Sequence, residues 1–353
     1  MPAAPAISII LPVYGVAGYL TACLDSILLQ PGAEIEVIAV DDASPDRCGQ
    51  ILDERAAADP RLRVLHLDRN GGPGPARNAG LGLAAGEYVW FVDGDDRLAD
   101  GALAAIMPRL AEVRPDVLLI DYESCYPGGR TEPSPGRDLL RGVPPAGCTL
   151  ADRPQLIDLT MTSWSKLLRR DFICQLGLRF GPGIHEDVLV TCSALLAARL
   201  ITAVPRPCYR YCRDRRGSFM ATSSAAHWAI FSSYEQVFAL ATRQLAPCQD
   251  TAAARALEAA IFERAIWHYC TVLQTSGGPR LRRRSLVPAA DRRRFFARMH
   301  EDFLRYRPAG YRPPPGARGV KFRLVERGAY RAYWLLEPLN EARVGLARLL
   351  ARH

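Results

Sequence analysis

Four short apolar runs end on residues with chemistry to offer. Pro12-Val13-Tyr14 closes the run Ile7–Val13, and Asp41-Asp42-Ala43-Ser44 follows Ile35–Val40. The turn Asn70-Gly71-Gly72-Pro73-Gly74 follows Arg63–Leu67 and leads into Ala76-Arg77-Asn78-Ala79-Gly80, and Asp93-Gly94-Asp95-Asp96 follows Tyr88–Val92. Carboxylates gathered along one edge repel one another and lose hydration, so they need a compensating cation. A divalent cation shared with a nucleotide diphosphate meets that need, and hard oxygen ligands favour Mg²⁺ or Mn²⁺. Farther along, Glu186-Asp187 follows the turn Gly181-Pro182-Gly183 and opens the helical stretch Val188–Ala198.

These residues need a scaffold that brings strand ends together. Between the apolar runs lie segments of helical spacing: Tyr19–Gln30, Pro45–Ala58 and Gly74–Ala84, then about Gly101 to Leu110 before a fifth strand at Val117–Ile120. The strand–helix alternation predicts an α/β fold with a mostly parallel sheet flanked by helices. Ligands gather at the carboxyl ends of the strands in such sheets, which is where the polar residues stand. A Pro/Gly-rich loop spans residues 126–150, and two further strands, Leu200–Val204 and Cys208–Arg213, are expected in the same domain. From about Ala225 the pattern turns helical, at Trp228–Leu245, Ala252–Leu273, Ala289–Arg305 and a last segment Val325–Leu350 with a kink expected at Pro338. The expected division is a catalytic domain over 1–222 and a helical extension with a basic C-terminal segment over 223–353.

Taken in this order and spacing, the four strand-end motifs resemble family 2 glycosyltransferases of the GT-A fold. The resemblance is close from Ala6 to Leu110 and continues at Trp164-Ser165-Lys166-Leu167, His185-Glu186-Asp187 and Arg216-Gly217-Ser218. It implies transfer of a sugar from a nucleotide-sugar donor to an acceptor hydroxyl, with inversion. Carried over, Pro12, Val13 and Tyr14 would frame the nucleoside, and Asp41 would accept from the base, or Asp42 in its place. Arg77 would meet the diphosphate or the neighbouring acids, and Asp93 and Gly94 the nucleotide sugar. Asp95, with Asp93, would hold Mn²⁺ or Mg²⁺, and Asp96 would support them from behind. Asp187 would be the base that takes the acceptor proton, and Glu186 would touch the acceptor. Trp164 and Lys166 are expected at the acceptor, and Arg216 and Ser218 on a loop closing over the diphosphate. Each piece has a plainer reading by itself: a turn for the aspartates, a helix N-terminus for Glu186-Asp187, a core position for Trp164.

Composition narrows the remaining classes. The chain has 353 residues, 49% hydrophobic and 23% charged, as a globular protein does. Its ten cysteines show no metal-ligand spacing and read as reduced thiols. No apolar stretch approaches the roughly 20 residues that span a bilayer, and the Gln-x-x-Arg-Trp motif of processive synthases is absent. A cytoplasmic, non-processive enzyme is expected. The net charge of +8 is uneven: residues 276–353 carry 19 Lys/Arg and 6 Asp/Glu, a balance of +13, leaving −5 for the rest. A basic tail suggests an anionic partner, either a membrane inner face or a glycopolymer. A UDP-sugar is the default donor, and an envelope polysaccharide or wall glycopolymer the expected acceptor. Nucleic acid is not expected, since no recognised motif accompanies the basic residues. The rival readings are a sugar nucleotidyltransferase, which would need a basic Gly-rich loop after the first strand, and a non-catalytic polyanion- or membrane-binding protein. A dinucleotide-binding oxidoreductase fails because Gly15-Val16-Ala17-Gly18 does not make the Gly-x-Gly-x-x-Gly turn.

Overall fold

The computed structural model describes residues 5–31, 34–213, 223–248, 251–274 and 285–336. They form two compact units: residues 5–213 with 229–248, and residues 223–228 with those from 251 onward.

A nine-stranded sheet organises the first unit. Strands β1 (Ile7–Val13), β2 (Ile35–Asp41), β3 (Leu62–His66) and β4 (Tyr88–Phe91) lie parallel in the order β3-β2-β1-β4. Helices α1 (Ala17–Leu28), α2 (Cys48–Ala58) and α3 (Pro73–Leu83) make the crossovers. Ile7, Ile9, Ile10 and Leu11 are all fully buried, so β1 is apolar on both faces, as a central strand covered by helices must be. The register sets the site. Val13 pairs with Asp41 and Asp41 with His66, so three strands finish level with one another. Phe91 pairs with Ile10, which puts Asp93 just past the same edge.

Beyond β4 the sheet becomes mixed. In chain order come β5 (Arg97–Leu98), α4 (Ala102–Val113), β6 (Val117–Cys125), β7 (Thr131–Pro133), α5 (Arg137–Arg141), β8 (Lys166–Arg169), α6 (Arg170–Gln175), α7 (Glu186–Ala197), β9 (Ile201–Cys212) and α8 (Ala229–Leu245). β8 inserts antiparallel between β4 and β6, and β9 runs parallel to β6. The two strands expected at Leu200–Val204 and Cys208–Arg213 are one strand, β9. Its register against β6 shifts on either side of Asp121, opposite Pro207. Such an irregularity tolerates residues that lack an N–H, and Pro205 and Pro207 sit there. Asp121 is fully buried and accepts from the Tyr122 N–H (2.8 Å) and Arg137 Nε (2.6 Å), which holds the irregular stretch.

The expected boundary at residue 222 is crossed again by the chain. Helix α8 packs on α7 and buries Ile230, Phe231, Tyr234 and Val237, while the Ser233 hydroxyl donates to the His185 carbonyl (3.3 Å). Residues 229–248 therefore belong with the sheet. The second unit contains α9 (Ala252–Leu273), α10 (Arg292–Tyr306) and α11 (Gly316–Glu326) around Leu257, Ile261, Phe262, Phe295, Phe303 and Phe322. Thr251 caps α9 by accepting from the Ala254 N–H (3.1 Å). The last expected segment is divided: α11 ends at Glu326, a helical turn covers residues 330–336, and the expected kink at Pro338 lies outside the described residues. Cys23, Cys48, Cys192, Cys208 and Cys270 are buried and outside any disulfide. No described helix is long and apolar enough to cross a membrane.

Two glycines of α3 separate packing from propensity. A Cβ at Gly80 would lie 2.4 Å from Ile10 Cγ2, whereas one at exposed Gly82 meets nothing within 4 Å. Gly80→Ala is expected to destabilise by about 1–3 kcal/mol through overpacking. Gly82→Ala is expected to stabilise by roughly 0.5–1 kcal/mol. Urea unfolding of the two variants checks this, and equal shifts would show that α3 does not bear on β1 as described.

Candidate active site

The site is assembled around Arg77, in the second turn of α3 and only 4% exposed. Its Nη2 donates to Asp93 Oδ1 (2.8 Å) just past β4, and its Nη1 donates to Glu186 Oε1 at the first residue of α7. One guanidinium so ties α3, the β4 edge and α7 together, with the Phe180 ring 5.4 Å from its Cζ. Two neighbours explain why α7 begins where Arg77 can reach it. Asn78 brackets Phe180, donating from Nδ2 to its carbonyl (2.8 Å) and accepting at Oδ1 from its N–H (3.0 Å). Gly74 leaves room for the Gly181 carbonyl, which a Cβ would meet at 2.0 Å. His185 then takes a left-handed conformation (φ 65°) and turns the chain into the helix.

The charges in this space are unequal in number. Burial works against the Arg77 charge, but Asp93, Glu186 and Asp187 outweigh it and raise its pKa above the ordinary guanidinium value. Burial, joined by the neighbouring Glu186 charge, pushes the Asp187 carboxyl up to about 8, with Arg77 and Lys166 pulling the other way. Asp187 keeps part of its surface exposed. A carboxyl raised into the neutral range suits a general base.

The strand-end acids divide into buried anchors and partly exposed groups. Asp42 accepts from the Gly71 and Gly72 N–H groups (2.8 and 2.7 Å), one on each oxygen, and thereby shapes the glycine-rich turn. Asp41 accepts from the Ser44 N–H (3.0 Å) and faces His66 Nδ1 (3.0 Å). His66 Nε2 also faces Asp53 Oδ1 (3.0 Å), and hydrogen bonds to Asp41 and Asp53 raise the imidazole pKa. Tyr14 is 49% exposed beside them, Val13 is buried and Pro12 half-buried. Gly94 fits against Pro12, Val13 and Val16, each 3.4 Å from where its Cβ would be. Asp96 is buried and bonded on both oxygens, to Tyr209 and to the Cys212 N–H, whereas Asp93 and Asp95 are partly exposed. Among the described residues no three His, Cys, Asp or Glu side chains are grouped to hold a metal alone. Asp93 and Asp95, partly exposed at one strand end, are hard oxygen donors of the kind that suits Mg²⁺ or Mn²⁺.

Two expected acceptor residues are turned inward instead. Trp164 is 4% exposed, stacks on Tyr209 (4.5 Å, 7°) and lies perpendicular to Tyr122 (4.8 Å), so its ring is packed into the core. Lys166 is 1% exposed and donates to the Thr160 and Thr162 carbonyls (2.8 and 3.1 Å) and to Ser165 Oγ (3.0 Å). Those bonds use the three ammonium protons, so Lys166 fixes its own loop. Arg216 and Ser218 lie outside the described residues. Asn78 and Tyr209 were not singled out as site residues. The signal for Asn78 is its place in the Ala76-Arg77-Asn78-Ala79-Gly80 motif, and a tyrosine among strand aromatics gives none.

The profile of the family described as Glycosyl transferase family 2 matches residues 8–174. The succinoglycan biosynthesis protein ExoO of Rhizobium meliloti is 37% identical over 249 residues, 66% of this chain and 68% of its own length. The poly(ribitol-phosphate) beta-N-acetylglucosaminyltransferase TarS of Staphylococcus aureus is 33% identical over 221 residues, 61% of this chain and 37% of TarS. The uncharacterized glycosyltransferase EpsJ of Bacillus subtilis is 44% identical over 108 residues, 31% of this chain and 30% of EpsJ. The chain thus spans well under two thirds of the length of EpsJ and TarS. The crystal structure of S. aureus TarS 1–349 in complex with UDP-GlcNAc aligns with a TM-score of 0.71 at 24% identity, covering 96% of this chain and 92% of that one. That likeness shows the fold, the GT-A type expected from the sequence.

The ion pairs at Arg77 carry a clear consequence for stability. Arg77→Met leaves the Glu186 carboxylate buried without its partner and is expected to cost about 3–5 kcal/mol. Adding Glu186→Gln removes the stranded charge and should return part of that loss. Denaturant unfolding of both variants checks it; a double variant no more stable than Arg77→Met alone would deny the pairing its role.

Proposed function

The chain belongs to glycosyl transferase family 2, and from that premise we propose that it transfers one sugar at a time from a nucleotide-sugar donor to an acceptor hydroxyl, with inversion. The observation that carries this reading is the buried Arg77, which joins the acids at the β4 edge to those opening α7. Donor-side and acceptor-side chemistry then share one space around a single guanidinium. Pro12, Val13 and Tyr14 frame the nucleoside, Asp41 is the acceptor for its base, and Gly94 allows close approach to the sugar nucleotide. Arg216 and Ser218 are assigned to the diphosphate from the sequence. The domain of residues 1–222, completed by α8, carries catalysis.

Asp93 and Asp95 would hold Mn²⁺ or Mg²⁺. When bound, the cation supplies Lewis-acid neutralisation of charge on the departing diphosphate. Asp187 takes the proton of the acceptor hydroxyl as that oxygen forms its bond to the anomeric carbon. The bond from that carbon to the diphosphate oxygen breaks on the opposite face, and its electron pair leaves with the nucleotide. Glu186, held by Arg77, is assigned to the acceptor. The relatives support the substrate classes: TarS has been solved with UDP-GlcNAc and is named for a poly(ribitol-phosphate) acceptor, and ExoO for succinoglycan biosynthesis. A UDP-sugar and an envelope polysaccharide or wall glycopolymer are accordingly the proposed donor and acceptor. Described residues 285–336 hold 12 Lys/Arg and 4 Asp/Glu, which supports an anionic partner such as that polymer or a cytoplasmic membrane face.

Calorimetric titration with UDP, GDP, CDP and dTDP, with and without Mn²⁺, tests the donor site. One diphosphate is expected to bind in a Mn²⁺-dependent way, and Asp95→Ala is expected to abolish the dependence. No metal-dependent binding to any of the four would sink the reading.

The base is tested separately. Asp187→Asn should retain donor binding and lose about 10²–10⁴-fold in transfer rate. Transfer needs the ionised carboxylate, so kcat/KM for the acceptor should rise with pH and level off above about 8. A flat profile between pH 6 and 9, or an Asp187→Asn enzyme of undiminished rate, removes Asp187 from the mechanism.

A further inference from the structure

Tyr209 lies in β9, fully buried, and its hydroxyl stands among the groups of the acidic loop. That oxygen accepts from the Asp93 N–H (3.2 Å) and donates to Asp96 Oδ2 (2.7 Å). The other oxygen of Asp96 accepts from the Cys212 N–H (2.7 Å), three residues along the same strand. The Asp96 N–H returns to the Asp93 carbonyl (3.0 Å) and closes the loop. Every one of these bonds ends on Asp93 or Asp96, the two residues that flank Gly94-Asp95. The phenol ring is fixed in turn, for it lies flat on Trp164, whose carbonyl accepts from Trp90 Nε1 (2.8 Å) on β4. A hydroxyl with two partners on a ring clamped by stacking has little freedom of direction.

We propose that Tyr209 is the positioning residue of the cation-binding loop, setting where Asp93 and Asp95 stand through the Asp93 backbone and the Asp96 carboxylate. This rests on the reading that Asp93 and Asp95 hold the cation. Phenylalanine at this position keeps the ring and its stack on Trp164 and removes the hydroxyl alone. The Asp93 N–H and Asp96 Oδ2 then lose their partner in a buried place, a loss the loop relieves by turning toward water. Asp95 moves with it. Trp164 also gains a role that a sugar platform would not explain: it holds the ring that holds the loop.

Mn²⁺ binding, followed by electron paramagnetic resonance in the presence of saturating UDP, tests the assignment on wild type, Tyr209→Phe and Asp96→Asn. Tyr209→Phe is expected to weaken Mn²⁺ binding tenfold or more while leaving UDP affinity in excess chelator unchanged. Asp96→Asn, which sets an amide against the Tyr209 hydroxyl, should weaken Mn²⁺ in the same direction, and it carries the test if Tyr209→Phe fails to fold. A folded variant that binds Mn²⁺ within twofold of wild type overturns the proposal, whatever its melting temperature. Wild type that takes up no Mn²⁺ with any of the four nucleoside diphosphates overturns the cation reading and the proposal together, so the two failures are distinct.

Discussion

One buried guanidinium faces three carboxylates, and the site depends on that imbalance. Arg77 contacts Asp93 and Glu186 directly, and the charge of Asp187 acts on it as well. Buried charge is tolerated only when paired and hydrogen-bonded, so the three acids can crowd together only while Arg77 is present. This fixes geometry as well as charge. The side chain spans from a crossover helix to a strand end and to the start of α7, and neither carboxylate can move away without stranding another ion.

The sheet makes the arrangement possible by ending its strands level with one another. β1, β2 and β3 finish in register, and the residues after them fall along one edge. Much of the polarity gathered there is consumed internally. Asp42 shapes the glycine-rich turn, Asp41 is shared between Ser44 and His66, and Asp96 is fastened to β9. Two neighbouring aspartates in sequence thus do different work: Asp96 is fastened to β9, and Asp95 stays partly exposed. A run of acids at a strand end is a frame as much as a ligand set.

The parallel half of the fold was legible because its strands are mostly apolar and are separated by helical segments. Ile7–Val13 and Tyr88–Val92 allow few other readings. The acids of the site were legible from type and position at the strand ends. Burial was not. Trp164 and Lys166 are residue types that bind sugars and phosphates as readily as they fill cores, and only the packing of Tyr122, Tyr209 and the 160–165 loop decides the matter. The return of α8 to the first unit was hidden for a related reason. Helical period marks an apolar face on Ala229–Leu245 but says nothing of which surface will cover it. The four residues of β8 are too few for any period to show, and the irregular stretch of β9 was mistaken for a gap between two strands because its prolines lack ladder donors.

The same crowding that burdens the fold is what makes Asp187 useful. Its carboxyl is raised from the ordinary range to about 8, so it favours the folded state fully only below the unfolded value of roughly 3.9, and that contribution is lost as pH rises through about 8. At neutral pH the group is therefore still mostly protonated, and ionising it as pH rises toward 8 costs the fold stability. An ordinary carboxylate is ionised at that pH but too weak a base to take a hydroxyl proton readily, whereas one raised to the working pH combines ionisation with basicity. A second arginine beside Arg77 would return the carboxyl of Asp187 toward ordinary values before any donor binds. Removing Arg77 would leave the carboxylates unbalanced and the α7 start unheld. Arg77 thus anchors the helix while leaving Asp187 raised above ordinary carboxylate values.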